Sequence, residues 1–389
     1  MRQILFITGT RADFGKLKAL MHAVDGHADY ACRIFVTGMH TLKAYGKTQI
    51  EVQKEGFRDL FVFHNQHRGE PMETALANTI EGLSRYVHED RPDLLVVHGD
   101  RLEALAGSIV GALNNIPVAH VEGGERSGTV DESIRHAVSK LSHLHLVAND
   151  EARGRLIQLG EAPRSIFVIG SPDIDVMLSD KLPSLDAVKR HYEIGFERYA
   201  LLLYHSVTTA LRTLRRDTEQ LLAAIADSGY RYVVIHPNND PGAEVILAAY
   251  EQLLVDRDRY RLFPSMKFES FLTLLKSAQF IVGNSSAGVR EAPVYGVPAV
   301  NVGSRQHARH RGPSILDVAH DKAAILAAIR RAAEIEDRLP SDRHFGAGRS
   351  AERFIELLDS GELFDVSPQK TFNDVRVSEV GPDPGESRS

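Results

Sequence analysis

The sequence predicts an α/β protein built from two doubly wound parallel sheets, and three observations lead to this prediction. Short β-branched runs alternate with longer helical stretches, which is the pattern of βαβ units. This alternation occurs in two series that meet near Gly170-Ser171-Pro172. The length of 389 residues is also ample for two domains.

In the first series, short apolar runs predict strands and the stretches between them predict helices. The expected strands are Ile4–Ile7, Arg33–Val36, Leu94–Val97, Val118–Val121, Leu144–Val147 and Ile166–Val168. The expected helices are Asp13–Val24, Met72–Glu89, Leu102–Asn114 and Ser133–Leu141. Because functional loops lie at the carboxyl ends of parallel strands, the segments after these strands are the first candidates for a site.

The second series predicts a similar sheet in the second half of the chain. Its expected strands are Tyr199–Tyr204, Tyr232–Ile235, Arg261–Phe263, Phe280–Val282 and Ala299–Val302. We therefore expect one domain over 1–172 and a second over 173–349. A closing helix around 350–366, with Ser350 as a candidate N-cap, is expected to return to the first domain. The polar segment 367–389 is expected to be a mostly disordered tail.

Composition excludes several functional classes. The formal net charge is −6, so no general positive field attracts nucleic acid or an anionic membrane. No apolar stretch approaches the ~20 residues that span a bilayer, and Met1–Thr8 has the pattern of a first strand rather than of a signal peptide. The single cysteine, Cys32, fits a reducing compartment, so we expect a cytoplasmic protein.

Two segments that follow predicted strands have the composition of anion sites. Neither the dinucleotide fingerprint nor the P-loop motif occurs, so we expect no NAD. In the segment Ile7–Arg11, Gly9 permits a tight turn before a helix N-terminus and Arg11 adds a positive charge. In the segment Val282–Pro293, small residues allow close approach of a diphosphate, Ser285 and Ser286 offer hydroxyls, and Glu291 is placed to hold a ribose diol. For both segments, a plain strand-to-helix turn is the alternative.

Carboxylates cluster between His98 and His136. Asp100 and Glu122 each follow a strand, and Asp131 precedes a helix, with Arg135 one turn later on the same face. Gly123-Gly124 would let a ligand pass close to the backbone. Neighbouring carboxylates repel one another, so we expect at least one raised pKa and a set that supplies both an acid and a base. For each residue alone, an N-cap, a surface carboxylate or a plain salt bridge is the alternative.

The 18 histidines invite a metal-enzyme interpretation, but the sequence does not favour it. No HExxH motif and no paired Cys/His zinc pattern is present. We therefore expect no metal and interpret most histidines as surface or hydrogen-bonded core residues. His205 is the exception, because it follows the apolar strand of the second half and would face the cleft, where a phosphate could lie.

Taken together, these segments carry a specific resemblance. The chain, from about Arg2 to Phe372, resembles the hydrolysing UDP-N-acetylglucosamine 2-epimerases of bacterial sialic-acid and capsule pathways. The segments that carry the resemblance are Ile7–Asp13, His98–Glu103, His120–Glu125, Asp131–His136 and Gly283–Pro293. The resemblance implies a GT-B-type fold, in which two Rossmann-like domains hold a nucleotide sugar in the cleft between them.

The resemblance also implies a reaction and roles for residues. UDP-GlcNAc loses UDP by elimination and the glycal intermediate adds water, giving N-acetylmannosamine and UDP, with no cofactor. Asp100, Glu122 and Asp131 match the catalytic carboxylates, and His205 matches a catalytic histidine near the diphosphate. The residues that match UDP or phosphate contacts, or support for the site, are Arg11, Asp13, Arg101, Arg135, Asn238, Phe271, Ser285, Ser286, Glu291 and Arg305. A homodimer or homotetramer is implied as well.

Four other functions remain open. A hydrolysing 2-epimerase of a UDP-4-acetamido-6-deoxy sugar would differ only in substrate, and a non-hydrolysing epimerase would retain UDP. The run Glu122–Glu125, followed by Gly128 and Asp131, resembles the hydrolysing branch. A GT-B glycosyltransferase would share the fold but leave C2 untouched. A nucleotide-sugar sensor would have little use for three carboxylates beside an anionic ligand.

Overall fold

The computed structural model describes residues 1–127, 130–238, 240–307 and 309–374, and these residues contain two sheets in which all strands are parallel. In the first sheet the strands are β1 (Arg2–Thr8), β2 (Tyr30–Val36), β3 (Asp59–Val62), β4 (Leu94–His98), β5 (Val118–Val121), β6 (Leu144–Val147) and β7 (Ile166–Val168). In the second they are β8 (Ala200–Leu203), β9 (Tyr232–Ile235), β10 (Tyr260–Phe263), β11 (Ile281–Gly283), β12 (Ala299–Val302) and β13 (Ile315–Val318).

Both sheets are wound in the same way. The orders are β3-β2-β1-β4-β5-β6-β7 and β10-β9-β8-β11-β12-β13, so each sheet runs outward in two directions from its first strand. This is the Rossmann arrangement, in which ligands bind where the strand order reverses. The predicted GT-B-type fold, with two Rossmann-like parallel-sheet halves, is confirmed.

Helices cover both faces of the sheets. They are α1 (Arg11–Asp25), α2 (Gln49–Lys54), α3 (Met72–Glu89), α4 (Leu102–Leu113), α5 (Val130–Leu141), α6 (Asp150–Gln158), α7 (Pro172–Leu178), α8 (Leu185–His191), α9 (Leu214–Ser228), α10 (Ala243–Leu253), α11 (Phe268–Ser277), α12 (Glu291–Val294), α13 (Lys322–Ala333) and α14 (Ser350–Asp359). None of the described helices is long and apolar enough to cross a membrane.

Every predicted strand is confirmed, but β3 and β13 escape prediction. Both lie at sheet edges and are only partly buried. Each also carries an aspartate, Asp59 or Asp317, which interrupts the apolar pattern of a buried parallel strand. An edge strand that is partly exposed to solvent does not need a continuous apolar run, so the sequence pattern that would predict it is weak.

The closing helix α14 packs on the first half of the chain, against α1 and α7. Its Phe354 lies in the core beside Phe6, with ring centroids 6.4 Å apart. The expected N-cap at Ser350 is wrong, because the helix already begins at that residue. Its free N–H groups at Ser350 and Ala351 instead donate to the carboxylate of Asp175, at 3.0 and 2.8 Å. The domain boundary near residue 172 stays a prediction, since α7 contacts both α1 and α11.

The described part of the expected tail lies against the first domain. Lys370 Nζ donates to the carbonyls of Ser139, Lys140 and Ser142 at the C-terminal end of α5, at 3.1, 2.9 and 2.7 Å. It also forms an ion pair with the buried Glu161. A cation at this position satisfies helix carbonyls and complements the helix dipole. The remainder of the tail, 375–389, lies outside the described residues.

Replacing Lys370 with methionine is expected to destabilise the first domain by about 1–3 kcal/mol, the range for losing charged hydrogen bonds. The substitution removes the ammonium group that pairs with Glu161 and provides no other donor for the three carbonyls of Ser139, Lys140 and Ser142. Urea unfolding measures the loss, and Lys54→Met, at an exposed lysine, serves as the control. Equal stability of the two variants would show that the tail contact contributes nothing.

Candidate functional site

The candidate site is the cleft between the two domains, where the switch points of both sheets face each other. The ends of β1 and β4 contribute on one side and those of β8 and β11 on the other. The cleft encloses a cavity of about 320 Å³. The predicted residues that line it are Arg11, Asp13, Asp100, Arg101, Glu122, Asp131, Arg135, His205, Asn238, Phe271, Ser285, Ser286, Glu291 and Arg305. The fold thus brings all the predicted site residues together, while their roles stay predictions.

Asp100 follows β4 and is held by arginines. Arg135 Nη2 donates to Asp100 Oδ2, and Arg309 Nη2 lies 4.0 Å from the same oxygen. Burial alone would raise the pKa of Asp100, but the positive charges of Arg135 and Arg309 outweigh it and lower the pKa below its ordinary value. The carboxylate is therefore ionised at neutral pH.

Glu122 follows β5 in a backbone conformation that non-glycine residues rarely adopt, with φ of 65°. Its Oε1 accepts hydrogen bonds from Arg290 Nη2 at 2.6 Å and from Ser171 Oγ at 2.8 Å. Lys16 Nζ and His98 Nε2 lie 3.7 and 3.3 Å from the same oxygen. Burial opposes ionisation, yet Arg290 and Lys16 hold the pKa of Glu122 well below its ordinary value.

These contacts show that neither Asp100 nor Glu122 is the carboxylate with the expected raised pKa. That expectation assumed that the carboxylates face one another without compensation. Instead each has a cation of its own, and the pKa values of both are lowered. Both carboxylates are therefore ionised at neutral pH in the free protein.

Asp131 lies in the first turn of α5 rather than before the helix. Its Oδ2 is 3.5 Å from Arg305 Nη2, which belongs to the second domain. Arg135, expected as a candidate partner one turn later, directs one Nη to Asp100 and the other to the carbonyl of Glu122, at 2.7 Å. Gly128, which precedes Asp131 in the sequence, lies outside the described residues.

A second cavity, of about 560 Å³, adjoins the first. Asp100, Arg101 and Asp131 line both cavities, whereas Glu122 lines only the first. The side chains of Asp100 and Asp131 are also more exposed, at 20% and 26%, than that of Glu122, at 6%. The two aspartates are therefore accessible from two sides, and Glu122 is not.

His205 faces the cavity in a defined tautomer. The backbone N–H of Asn238 donates to His205 Nδ1 at 3.1 Å, so the neutral ring must carry its proton on Nε2. The Asn284 side chain fixes the His205 backbone, accepting from its N–H at 2.7 Å and donating to its carbonyl at 2.8 Å. Burial, followed by the charges of Arg305 and Arg101, lowers the pKa of His205 to about 3. The free protein thus presents a neutral N–H donor to the cleft.

We expect the His205 ring to stay neutral between about pH 5 and 8 in the free protein. Its pKa of about 3 lies below this window, so protonation begins only on further acidification. Nitrogen NMR of the histidine rings, with His205→Gln to assign the signal, measures the tautomer and its titration. A His205 signal that titrates near pH 6.5 would contradict this assignment.

The segment after β11, predicted as an anion site, forms two short helical turns. Ser285 caps a short helical turn that includes Ser286, and α12 then begins with the buried Glu291. Glu291 Oε1 lies 3.4 Å from Nζ of Lys16, which belongs to the first domain. The Asn284 carbonyl accepts hydrogen bonds from Gln306, at 2.9 Å, and from Arg305, at 3.4 Å. Asn284 therefore orders both His205 and the arginine that faces Asp131.

The turn after β1 is shaped by Asp13. Its carboxylate accepts hydrogen bonds from the N–H groups of Gly9 and Thr10, each at 3.1 Å, and from the Thr8 hydroxyl. Asp13 is thus a capping residue that sets the turn. Gly9 is tightly packed rather than held in an unusual turn, because a Cβ there would lie 2.4 Å from Cδ of the buried Glu103 side chain.

The remaining predicted residues contact other parts of the protein as well as the cavity. Arg11 reaches across the cleft, donating to Ser265 Oγ at 2.6 Å and to Glu51 at 2.7 Å through Nε. Arg101 Nε lies 3.5 Å from Glu103 Oε2. Asn238 donates to Asp240 at 2.6 Å, and Phe271 projects from α11.

Gly123-Gly124 does not serve ligand approach as expected. Gly124 has φ of 74°, and a Cβ there would lie 2.2 Å from the carbonyl oxygen of Ala152. A Cβ at Gly123 would meet His120 and Ser139 instead of open space. These glycines let the loop after β5 pack on α6 and α5, which places Glu122.

Sequence reasoning missed the basic residues that surround Glu122. The residues that lie beside the Glu122 carboxylate are Lys16, His98 and Arg290. His98 and Arg290 belong to segments that carry the family resemblance, but nothing in those segments indicated that they contact Glu122. Glu125 is also buried, with 6% of its surface exposed, and it pairs with Arg290. The sequence offered one indication of these buried pairs, namely charged residues within segments that are otherwise apolar.

Within the described residues, no group of three or more His, Cys, Asp or Glu side chains is arranged to hold a metal ion. His120, which lies at the end of β5 near the carboxylates, is hydrogen-bonded to the Gly99 carbonyl at 2.8 Å and to Ser139 at 3.0 Å. It therefore has a structural role in the core. The expectation that the reaction needs neither metal nor NAD stays a prediction.

Comparisons with known proteins agree with this architecture. A family model described as UDP-N-acetylglucosamine 2-epimerase matches residues 22–359. A UDP-N-acetylglucosamine 2-epimerase of Neisseria meningitidis serogroup B is 49% identical over 380 residues, covering 97% of this chain and 100% of the relative. A UDP-N,N'-diacetylbacillosamine 2-epimerase (hydrolyzing) of Legionella pneumophila is 33% identical over 366 residues, covering 92% of this chain and 96% of the relative.

A solved structure shows the same fold. It is a Methanocaldococcus jannaschii UDP-GlcNAc 2-epimerase in complex with UDP-GlcNAc and UDP, and it superposes with a TM-score of 0.78 at 20% identity. The match covers 93% of this chain and all of that one. The extent of the family match and the identity to the Neisseria relative lead to one conclusion: the chain belongs to the UDP-N-acetylglucosamine 2-epimerase family.

Proposed function

We propose that this protein is a hydrolysing UDP-N-acetylglucosamine 2-epimerase that converts UDP-GlcNAc and water to N-acetylmannosamine and UDP. One observation carries the proposal: three carboxylates, each beside an arginine, line one side of a cleft whose other side carries the turn with Ser285 and Ser286. A nucleotide sugar needs both halves of such a site. The turn would hold the diphosphate while the carboxylates face the sugar.

In this proposal, UDP lies on the second domain. The uracil lies near Phe271, the ribose hydroxyls bind Glu291, and the diphosphate lies over Ser285 and Ser286. His205 donates its Nε2–H to the diphosphate, with Arg11 and Arg305 nearby. These donors stabilise the negative charge that develops as the C1–O bond breaks.

The carboxylates then act on the sugar. One takes the C2 proton as UDP leaves, which forms a C1=C2 double bond. Water next adds its hydroxyl to C1, and a proton is delivered to C2 from the opposite face. We assign these two proton transfers to Asp100 and Asp131, because both aspartates line two cavities and sit on different elements. Glu122, buried and fixed among cations, stabilises the positive charge that develops at C1.

Release of UDP separates this reaction from a non-hydrolysing epimerase. The Legionella relative, whose name specifies hydrolysis, supports release. A coupled assay for free UDP, run beside chromatography of the nucleotide sugars, is expected to find UDP and N-acetylmannosamine in equal amounts. Accumulation of UDP-N-acetylmannosamine without free UDP would instead identify a non-hydrolysing enzyme.

The sugar itself is the second specificity question. The 49% identical relative is named for UDP-GlcNAc, and the 33% identical one for UDP-N,N'-diacetylbacillosamine. The higher identity favours UDP-GlcNAc, so we expect the larger kcat/KM with that substrate. A larger value with UDP-N,N'-diacetylbacillosamine would reverse the assignment.

We further propose that the enzyme is a cytoplasmic homodimer or homotetramer and that its product feeds sialic-acid or capsule synthesis.

A further inference from the structure

Arg290 is an arginine of the second domain whose guanidinium lies buried among residues of the first. It donates to Glu122 Oε1 at 2.6 Å and to Ser171 Oγ at 2.7 Å through Nη2, and it donates to Glu125 Oε2 through Nη1. Its side chain is only 1% exposed. Its Cζ lies 4.3 Å from the centroid of the Phe345 ring, which covers it.

The backbone that carries Arg290 is part of the proposed nucleotide-binding turn. Its N–H donates to the carbonyl of Ser286 at 2.9 Å, and the next residue is Glu291. Residues assigned to the diphosphate and the ribose thus flank Arg290 within one short segment. A shift of this segment would therefore move the guanidinium that holds Glu122.

The orientation and charge of Glu122 depend on the hydrogen bond from Arg290. The Glu122 backbone has φ of 65°, a strained conformation that persists only where surrounding contacts enforce it. Glu125 and the fully buried Asp173 add negative charge nearby, with Asp173 Oδ2 3.8 Å from Arg290. Without Arg290, Lys16 would be left to neutralise Glu122, Asp173 and Glu291. Repulsion would then favour protonation or displacement of Glu122.

We propose that Arg290 is a positioning residue that couples the nucleotide-binding turn of one domain to the orientation and charge of Glu122 in the other. The inference rests on the proposed function, because it assigns Glu122 to the sugar and the turn to UDP. Arg290 borders the cavity, but both of its terminal nitrogens donate to protein groups, Glu122, Ser171 and Glu125. It acts through Glu122, so that the carboxylate is correctly set only while the turn is in place.

Arg290→Lys tests this role, with Arg33→Lys as a matched control. Arg33 is also a buried arginine, pairs with Asp59 and Asp90, and lies 5.4 Å from the Tyr86 ring, but it is far from the cleft at the β3 edge of the first sheet. Both substitutions keep the charge and lose the two-pronged geometry of the guanidinium. Both are expected to lower the melting temperature.

Only Arg290→Lys is expected to lower kcat, by ~100-fold, which is the cost of misplacing a catalytic group by about 1 Å. The dissociation constant of UDP, measured by calorimetry, should change less than kcat does. In the plot of kcat/KM against pH, the acidic limb should move to higher pH by about one unit, because Glu122 loses the hydrogen bonds that favour its ionised form. A kcat that falls no further than in Arg33→Lys, or a loss confined to UDP affinity, would overturn the proposal.

A second readout does not depend on turnover. Carbon NMR of the glutamate carboxyls, with Glu122→Gln to assign the signal, follows Glu122 directly. In the native protein, the signal should shift when UDP is added and should titrate at lower pH than in Arg290→Gln, where the UDP response should be lost. Identical titration and UDP response in both proteins would overturn the coupling. If the native enzyme fails to convert UDP-GlcNAc, the proposed function fails while this measurement still decides the role of Arg290.

Discussion

Replacing Asp100 with asparagine is expected to lower kcat with UDP-GlcNAc by at least ~100-fold, as for loss of a general acid or base. The neutral amide cannot accept a proton from carbon, and it no longer balances the charge of Arg135. Glu122→Gln and Asp131→Asn should have losses of similar size. Steady-state kinetics measures the effect, while circular dichroism and UDP binding establish that the fold and the nucleotide site persist.

Asp93→Asn is the matched control for Asp100→Asn. Asp93 precedes β4 at the end opposite to Asp100 and accepts a hydrogen bond from the Gln3 N–H at 2.7 Å, which an amide oxygen also accepts. Its substitution should leave kcat unchanged within error. Near-normal turnover in Asp100→Asn, Glu122→Gln and Asp131→Asn together would refute the proposed chemistry.

Replacing His205 with alanine is expected to lower kcat by ~100-fold, the usual cost of losing one donor to a developing anion. The pKa of about 3 means that this donor is a neutral N–H in the free protein rather than a charged acid. His205→Asn, which retains an N–H donor on a shorter side chain, should recover part of the loss. Kinetics and UDP titrations measure both.

His320→Gln is the control for the histidine series. His320 belongs to the same domain and bonds the Tyr204 hydroxyl at 2.8 Å, but it is not among the residues that line the cleft. Its replacement should leave kcat near the native value. Equal activity of His205→Ala and His320→Gln would remove His205 from the mechanism.

The sequence was sufficient to predict the fold because its strongest signals coincide with buried parallel strands. Runs such as Leu94–Val97 are completely buried, and a strand covered on both faces must be apolar throughout. The edge strands β3 and β13 lack that requirement and were missed. Helix starts were off by a few residues, as at α5, where Asp131 lies inside the first turn.

The position of the candidate site was predictable for a related reason. In a doubly wound sheet, chemistry gathers where strand order reverses, and the motifs at Gly9, Asp100, His205 and Ser285 all follow strands at these points. The winding of each sheet was enough to place these motifs at its own switch point. That the two switch points share one cleft was implied by the resemblance to the epimerase family.

The charge state of the site was not predictable, because it depends on pairs that are distant in sequence. Glu122 and Arg290 are separated by 168 positions, and their contact exists only once the two domains meet. The sequence displayed acids at one rim and therefore indicated repulsion. The fold places an arginine beside Asp100 and another beside Glu122, and these charges lower the pKa values of both carboxylates.

Proton NMR of the native enzyme with UDP-GlcNAc in deuterated water tests the central claim most directly. Removal of the C2 proton and its return from solvent predict N-acetylmannosamine with deuterium at C2, together with an equal amount of free UDP. A product with hydrogen retained at C2, UDP-N-acetylmannosamine without free UDP, or unchanged UDP-GlcNAc would each contradict the account.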